Sequence, residues 1–466
     1  MHDLTAIVLA AGRGTRMQSN LPKVLHEILE EPLLSYPLRV LTGLGIEKTL
    51  VVISGDADGD RVKAAFADST QTIWARQLVP RGTADAVAAA LNDLQGVSGD
   101  VLILCGDVPL LTAATLTGFY EKHRQLNAKM SVMTAVLDDG SAYGRVLVDE
   151  SDAPLAIVEA KDASLAQLEV KRINSGTYIV DIDLLRRALA ETDCNNAQGE
   201  YYLTDMVAFA RREDAITAIY DVRDSREILG VNSRKDLVSL EAIMALRIAD
   251  FWLDNGVTVH APEQVRIAPK VEIGQDSEIA PGVFLMGATS IGSGCSIGTG
   301  VQIKNSTIFD RVEIKPYSVI EGAEIGMQSA IGPFARIRPG SLIGTEVKIG
   351  NFVETKKVRF GKGAKASHLA YIGDAEVGAE SNLGAGTITC NYDGFNKFKT
   401  VIGDRVFVGS DSQLVAPVKL GDDVLVGAGS TVTRDVPDNA IVTTRVRQKE
   451  FAGRGMASRR RSAEEK

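Results

Sequence analysis

Apolar residues in the first half of the chain come in short, continuous runs, each ending in glycine or aspartate: TAIVLAAG at 5–12, KTLVVISG at 48–55 and DVLILCGD at 100–107. Unbroken Val/Ile/Leu runs of this length suit strands buried on both faces, as in a parallel sheet covered by helices. The intervening segments, such as Ala84 to Leu94, are alanine-rich and long enough for crossover helices. Residues 1–230 therefore read as an α/β doubly wound, Rossmann-like domain.

From Ile267 the pattern changes. Ile267, Ile273, Ile279, Leu285, Ile291, Ile297 and Ile303 are six residues apart, as are Ile325, Ile331, Ile337, Ile343 and Ile349. Ile402, Val408, Leu414, Leu420, Val426 and Val432 resume the spacing. Six extended residues span roughly 20 Å, one flat side of a coil with its aliphatic residue inward, and small residues after many of these positions let the chain turn the corner. A period of six predicts a parallel β-helix over residues 257–447. The register slips by one near Ile308 and again between Ile320 and Ile325. Thr387 to Thr400 (TITCNYDGFNKFKT) reads as an insertion without a repeat position, and such insertions become loops that carry function. Between the halves, residues 231–256 read as a linker with a helical arm. Ser233 and Asp236 form a capping box, and Gly256 is the stop. Residues 448–466 read as a charged, disordered tail.

A net charge of −9 argues against a general nucleic-acid binder. The expected setting is cytoplasmic, with no membrane and no nucleic-acid partner. The chain shows no signal-peptide pattern and no 18-residue apolar span. Its four cysteines form no CxxC pair, which argues against a zinc site or a disulfide framework.

The first run leads into GRGTRM, where small residues let backbone N–H groups approach a phosphate or base. The third fingerprint glycine is absent, since Met17 follows Arg16 there, and no GK[ST] follows, so neither the Rossmann fingerprint nor the P-loop fits. Arg16 and Lys23, in the following LPK, set two cations beside this loop, which suits a triphosphate. LAAGxGTRM followed by LPK resembles the sugar-1-phosphate nucleotidyltransferase family. The rest of that pattern follows in order: Gln77 before Gly82-Thr83, Gly106-Asp107, Tyr143-Gly144-Arg145, Val158-Glu159, Asn174-Ser175-Gly176 and Val231-Asn232. With the hexads attached, the chain from Leu4 to Arg447 resembles the bifunctional uridyltransferase/acetyltransferases that make UDP-N-acetylglucosamine.

The resemblance implies a left-handed β-helix and two transfers. Glucosamine-1-phosphate is acetylated from acetyl-CoA, and N-acetylglucosamine-1-phosphate is then coupled to UTP with release of pyrophosphate. It assigns uridine to Leu9, Ala10, Ala11, Gly12, Gln77, Gly82 and Thr83, and the sugar to Gly144, Glu159 and Asn174. Mg²⁺ falls to Asp107 and Asn232, and a magnesium ion suits few protein oxygens completed by phosphates and waters. Arg16 and Lys23 would stabilise charge at the transferring phosphate. Two positions depart from the family pattern and bear on base selectivity: Cys105 replaces the usual tyrosine before Gly-Asp, and Asp85 a common histidine after Gly-Thr.

In the second half, His368 stands in KASHLAYIG amid Arg338, Lys356, Tyr371, Asn382 and Asn391-Tyr392, at or near the aliphatic positions. Histidine suits removal of a proton from an amine attacking a thioester, and Arg338 and Lys356 suit a sugar phosphate. The resemblance makes His368 the general base, with Asn391 beside it. It gives the aminosugar phosphate to Arg338, Lys356, Tyr371 and Asn382, and acetyl-CoA to Ala385, Asn391, Tyr392, Ser410, Ala428 and Arg445. Related hexapeptide acyltransferases are trimers with sites between subunits, so a homotrimer is expected. Two other readings stand: a single-activity sugar-1-phosphate nucleotidyltransferase with a scaffold or regulatory β-helix, and a non-catalytic assembly subunit. The polar cluster around His368 weighs against the first, and retention of Arg16, Lys23 and Asp107 against the second.

Overall fold

The computed structural model describes residues 1, 4–67, 72–94, 96–140 and 142–464; the last two residues of the expected tail lie outside them. The chain divides into two compact units, Met1–Met244 and Ala245–Lys466.

In the first unit the apolar runs become the middle of a sheet. Its strands are β1 (Thr5–Leu9), β2 (Lys48–Ser54), β3 (Thr72–Gln77), β4 (Asp100–Cys105), β5 (Met130–Val136), β6 (Arg145–Val148), β7 (Pro154–Val158), β8 (Arg172–Asp181) and β9 (Thr217–Asp221). The order is β9-β5-β8-β4-β1-β2-β3, with β6 and β7 as a side hairpin on β8. Ile7, Leu50, Val52, Val101 and Ile103 enter one core, while Ala6, Val8, Val51, Ile53, Leu102 and Leu104 enter another. Alternate residues of the same strands thus bury on opposite faces, which is why the stretches 6–9, 50–53 and 101–104 carry no polar position. Each Val, Leu or Ile among them contributes roughly 1.5–3 kcal/mol.

The sheet is mixed rather than wholly parallel. β4, β1, β2 and β3 run parallel, but β8 is antiparallel to β4, β5 and β6. Arg172 opens β8 opposite Val136, the last residue of β5. The chain re-enters the sheet at the end it left, after the β6–β7 hairpin and without a crossover, so it must run the other way. β1 lies between β2 and β4, so the chain winds to one side and then the other. The crevice beyond the carboxyl ends of β1 and β4 is the topological switch point.

The second unit is a left-handed parallel β-helix. Ile267 pairs with Leu285, Leu285 with Ile303 and Ile303 with Ile320, so a turn takes 18 or 17 residues, three hexads or one fewer residue. The slips in the sequence are these shorter turns. One side is a ladder of eleven short strands, and the other two sides share seventeen. Small hydroxyl residues close the corners: the Oγ of Ser277, Ser329 and Ser381 each donate to a carbonyl of the next coil (2.7–2.8 Å) and accept an N–H from it (2.9–3.0 Å). Glycine after an aliphatic residue is steric. A Cβ on Gly350 would lie 1.9 Å from Ser367 O.

Two sequence expectations need correction. The coil does not lapse from Thr387 to Thr400: Ile388–Cys390 is a strand, and Thr389 (1% exposed) fills the inward position. Its Oγ1 accepts from Gly373 N (2.8 Å) and donates to Gly373 O (3.0 Å). Only the stretch after Cys390 loops out, so Leu383 finds its partner in Val408, 25 residues on. Secondly, Arg338, Lys356, Tyr371 and Asn382 do not interrupt the inward row. They flank the inward residues Ile337, Thr355, Ile372 and Leu383, and strand alternation sends the neighbours outward.

The helix Arg234–Asp254 crosses the unit boundary. Its capping box forms: Ser233 Oγ accepts from Asp236 N (3.3 Å), and Asp236 Oδ2 accepts from Ser233 N (2.8 Å) and Asn232 N (3.0 Å). Met456–Glu464 is helical. Among the described residues no helix is long and apolar enough to cross a membrane.

Candidate active sites

The turn after β1 and the end of β4 meet at the switch point around a cleft of about 470 Å³. Leu9–Gly12, Lys23, Gln77, Gly82, Thr83, Cys105 and Asp107 line it. Among the described residues, the N–H groups of Ala11 and Gly12 donate to nothing else in the chain. Gly14 has φ +59°, and a Cβ there would meet Lys23 Cβ at 2.7 Å, so this glycine lets Lys23 pack across the turn. Gly82 (φ +121°) is pinned against the segment at Tyr201, whose carbonyl would lie 2.4 Å from a Cβ.

Four predicted residues come together at one end. The Lys23 ammonium pairs with Asp107 and reaches Asn232 Oδ1 at 3.4 Å, and Arg16 Nη2 donates to the same oxygen at 2.9 Å. The helix cap fixes Asn232, and Val231 N donates to Asp107 O (2.9 Å). Two hard oxygen donors, one of them anionic, thus sit within reach of one ammonium, a set that fits one divalent cation with phosphate and water completing its shell. Among the described residues no group of three or more His, Cys, Asp or Glu side chains gathers for a metal.

A second cavity of about 220 Å³ shares Leu9, Thr83 and Cys105 with the cleft and is lined by Gly144, Glu159, Asn174, Tyr178, Leu203 and Thr204. Asn174 is held by Gly144 O (2.9 Å from its N), by Tyr178 Oη, which accepts from its Nδ2 (2.7 Å), and by Gly176 N, which donates to its Oδ1 (3.1 Å). Burial, and then Asp162, holds the Glu159 carboxyl above the ordinary range. Cys105 forms the seam between the cavities; burial, and then Asp107, pushes its thiol up to about 12. Tyr178, Leu203 and Thr204 are absent from the sequence expectations, because buried residues in a strand and a YLT turn look like core.

In the second unit the polar residues fall into two columns. Asn351 stacks on His368, and the registers of the following coils carry that edge on through Ala385, Ser410 and Ala428. Arg445 lies beside Gly427 and Gly429. His368 is exposed, with Nδ1 at 2.9 Å from Asn351 Oδ1. An amide oxygen there makes Nδ1 the donor and leaves the Nε2 lone pair outward.

The other column runs Arg338, Lys356, Gly373. Lys397, from the inserted loop, adjoins Lys356 and holds its ammonium below the ordinary lysine range, with burial and Arg338 adding to the effect. Glu354 Oε1 accepts from Arg338 at 2.8 Å, and Tyr371 stacks over Glu354. Asn391 is buried and its Nδ2 donates to Asp374 Oδ2 at 2.5 Å. Among the described residues no hydrogen bond joins Asn391 to His368. Tyr392 is exposed and bridges Lys397 across the loop, and Asn382 faces outward on its strand. Asn351, Asp374 and Lys397 were not legible in advance, because outward polar positions of a coil follow no pattern.

A nucleotide-sized cleft at a switch point, followed by a β-helix with a histidine-bearing edge, defines a nucleotidyltransferase joined to a hexapeptide-repeat transferase. Residues 6–170 match the family of MobA-like NTP transferase domains, 261–367 the GMPPB C-terminal domain and 399–434 the bacterial transferase hexapeptide of six repeats. The chain is 46% identical to the bifunctional protein GlmU of Pelobacter propionicus, over 96% of this chain and 97% of that one. It is 46% identical to that of Trichlorobacter lovleyi (95% and 96%) and 45% to that of Heliobacterium modesticaldum (97% and 99%). It belongs to the family of bifunctional GlmU proteins.

Proposed function

We propose that the chain makes UDP-N-acetylglucosamine by two transfers at two separate sites. The observation that carries this reading is that each unit holds its own set of reactive groups: the switch-point cleft with Lys23, Asp107 and Asn232, and the coil edge with His368 and Asn351.

At the coil edge, His368 Nε2 takes a proton from the amine of glucosamine-1-phosphate as its nitrogen attacks the thioester carbon of acetyl-CoA, and the imidazolium returns that proton to the departing CoA sulfur, which leaves as the thiol. Asn351 keeps the imidazole in the tautomer that can accept. Arg338, Lys356 and Lys397 hold the phosphate, with Tyr371 and Asn382 on the same outer surface, and Ala385, Asn391, Tyr392, Ser410, Ala428 and Arg445 contact acetyl-CoA. In the cleft, Leu9–Gly12, Gln77, Gly82 and Thr83 hold uridine, while Gly144, Glu159 and Asn174 hold the N-acetylated sugar. A phosphate oxygen of N-acetylglucosamine-1-phosphate attacks the α-phosphorus of UTP and pyrophosphate departs. Arg16 and Lys23 offset the charge that shifts onto it. Asp107 and Asn232 would hold Mg²⁺, which supplies further charge neutralisation between phosphates.

The acetyl site is completed in a homotrimer. Five residues and the corner at Leu369 (φ +47°) separate His368 from Gly373, the register partner of Lys356, so the two columns stand on different sides of the coil. The amine and phosphate of the substrate sit on adjacent ring carbons, so a second chain laid along this face brings its own column to the cations. An exposed ladder supports that contact: Tyr317 stacks on Phe334 (5.3 Å) and Phe334 on Phe352 (5.5 Å), directly beside Asn351.

The test offers acetyl-CoA, glucosamine-1-phosphate, UTP and Mg²⁺ to the purified chain while free thiol and UDP-sugar are followed. His368→Ala should abolish thiol release and leave uridyl transfer from supplied N-acetylglucosamine-1-phosphate intact. Asp107→Ala should do the reverse. Loss of both activities in either folded variant would refute two separate sites.

A further inference from the structure

Asp85 departs from the family pattern, and its contacts point to a role. Gln77 is 6% exposed and lines the larger cleft. Its Nε2 lies 3.0 Å from Gly82 O and 2.8 Å from Asp85 Oδ2. Both neighbours are pure acceptors, so the amide must set its nitrogen there; a flipped amide would put oxygen against oxygen twice. Oε1 is then the group left over, and it has no hydrogen-bond partner among the described residues. Asp85 is itself held. Its Oδ1 accepts from Arg81 Nη2 (2.8 Å) and Nε (3.2 Å), and the Arg81 guanidinium lies 5.7 Å from the centre of the Tyr201 ring. Tyr201 N donates in turn to Arg81 O at 2.7 Å.

We propose that Asp85 is the positioning residue for base selectivity. By holding the nitrogen of Gln77 on the protein side, it presents a hydrogen-bond acceptor to the base. An acceptor pairs with the N3–H of uracil and faces the N3 lone pair of cytosine, so the site takes UTP and rejects CTP. This rests on the reading that Gln77 lies against the base of a uridine nucleotide.

The experiment measures kcat/KM for UTP and for CTP on the full chain, with Asp85→Ala and Asp85→Asn. In Asp85→Ala, Gly82 O still holds the amide in part, and the UTP-to-CTP ratio should fall about threefold. In the isosteric Asp85→Asn, the donor-only Arg81 fork claims the new oxygen. The new amide nitrogen then faces the Gln77 nitrogen and opposes the hold of Gly82 O, so the amide divides between its two orientations and the ratio should fall about tenfold or more, with CTP use rising in absolute terms. KM for N-acetylglucosamine-1-phosphate and acetyl transfer should stay within about twofold, as neither involves this chain of contacts. Equal slowing with both nucleotides, at an unchanged ratio, overturns the proposal and leaves Asp85 a structural residue. A wild-type chain that takes CTP as readily as UTP overturns the uridine reading, and this proposal with it.

Discussion

Replacing Asn351 by alanine leaves His368 in place and removes the group that orients it. The contact is a neutral hydrogen bond of 2.9 Å at an exposed edge, contributing about 0.5–1.5 kcal/mol. An unheld surface imidazole also regains rotamer freedom, about 0.5 kcal/mol more to reorder in the transition state. Together these make about 1–2 kcal/mol, a drop of about 5- to 30-fold in kcat for acetyl transfer. Thiol release at saturating acetyl-CoA and glucosamine-1-phosphate measures it, with uridyl transfer assayed on the same preparation. KM for the aminosugar phosphate should stay within about twofold, because Asn351 is one column away from Arg338 and Lys356. The thermal midpoint should scarcely move for a surface truncation. Asn351→Asp keeps an acceptor oxygen and should recover most of the rate. A change in kcat of less than twofold, or a parallel fall in uridyl transfer, would show that Asn351 does not orient the base.

Cys105, with its thiol pushed up by burial and then by Asp107, holds far less thiolate at pH 8 than a free cysteine. Iodoacetamide at that pH should label the exposed Cys194 and spare Cys105, as read by peptide mass mapping; preferential labelling of Cys105 would contradict this. Lys356 lies below the ordinary lysine range because of Lys397, so it sheds its charge at a lower pH than a free lysine. KM for glucosamine-1-phosphate should therefore begin to rise early on the alkaline side. Lys397→Met removes the like charge and should move that rise to higher pH in a KM series; an unmoved profile would separate the two lysines.

How much of this was legible in the sequence depends on which residues carried a period. Ile267 to Ile303 show the coil plainly, because isoleucine marks each side. Between Ile349 and Ile402 the inward positions are Thr355, Phe360, Ala366, Ile372, Val377, Leu383 and Thr389. Turns of 17 residues break the count of six, and two hydroxyl residues stand where an aliphatic one is expected, so the part of the coil that carries His368 looks least regular. The cleft was legible through motif order. The antiparallel β8 was not, since a buried strand reads the same in either direction. Asn351 and Lys397 stayed hidden for another reason: each matters only through a neighbour one coil or one loop away.

The edge that carries His368 also acts as a ruler. Coils stack at the strand spacing of about 4.8 Å, so one residue per coil marks equal steps along the axis from His368 through Ala385 and Ser410 to Ala428, with Arg445 just beyond. The extra residues between Leu383 and Val408 loop away without altering the step. Three intervals cover about 14 Å and a fourth about 19 Å. On the proposed assignment, a flexible, linear acyl carrier laid along this scale would have its reactive end at the histidine and its charged end at the arginine, its length gauged by the backbone.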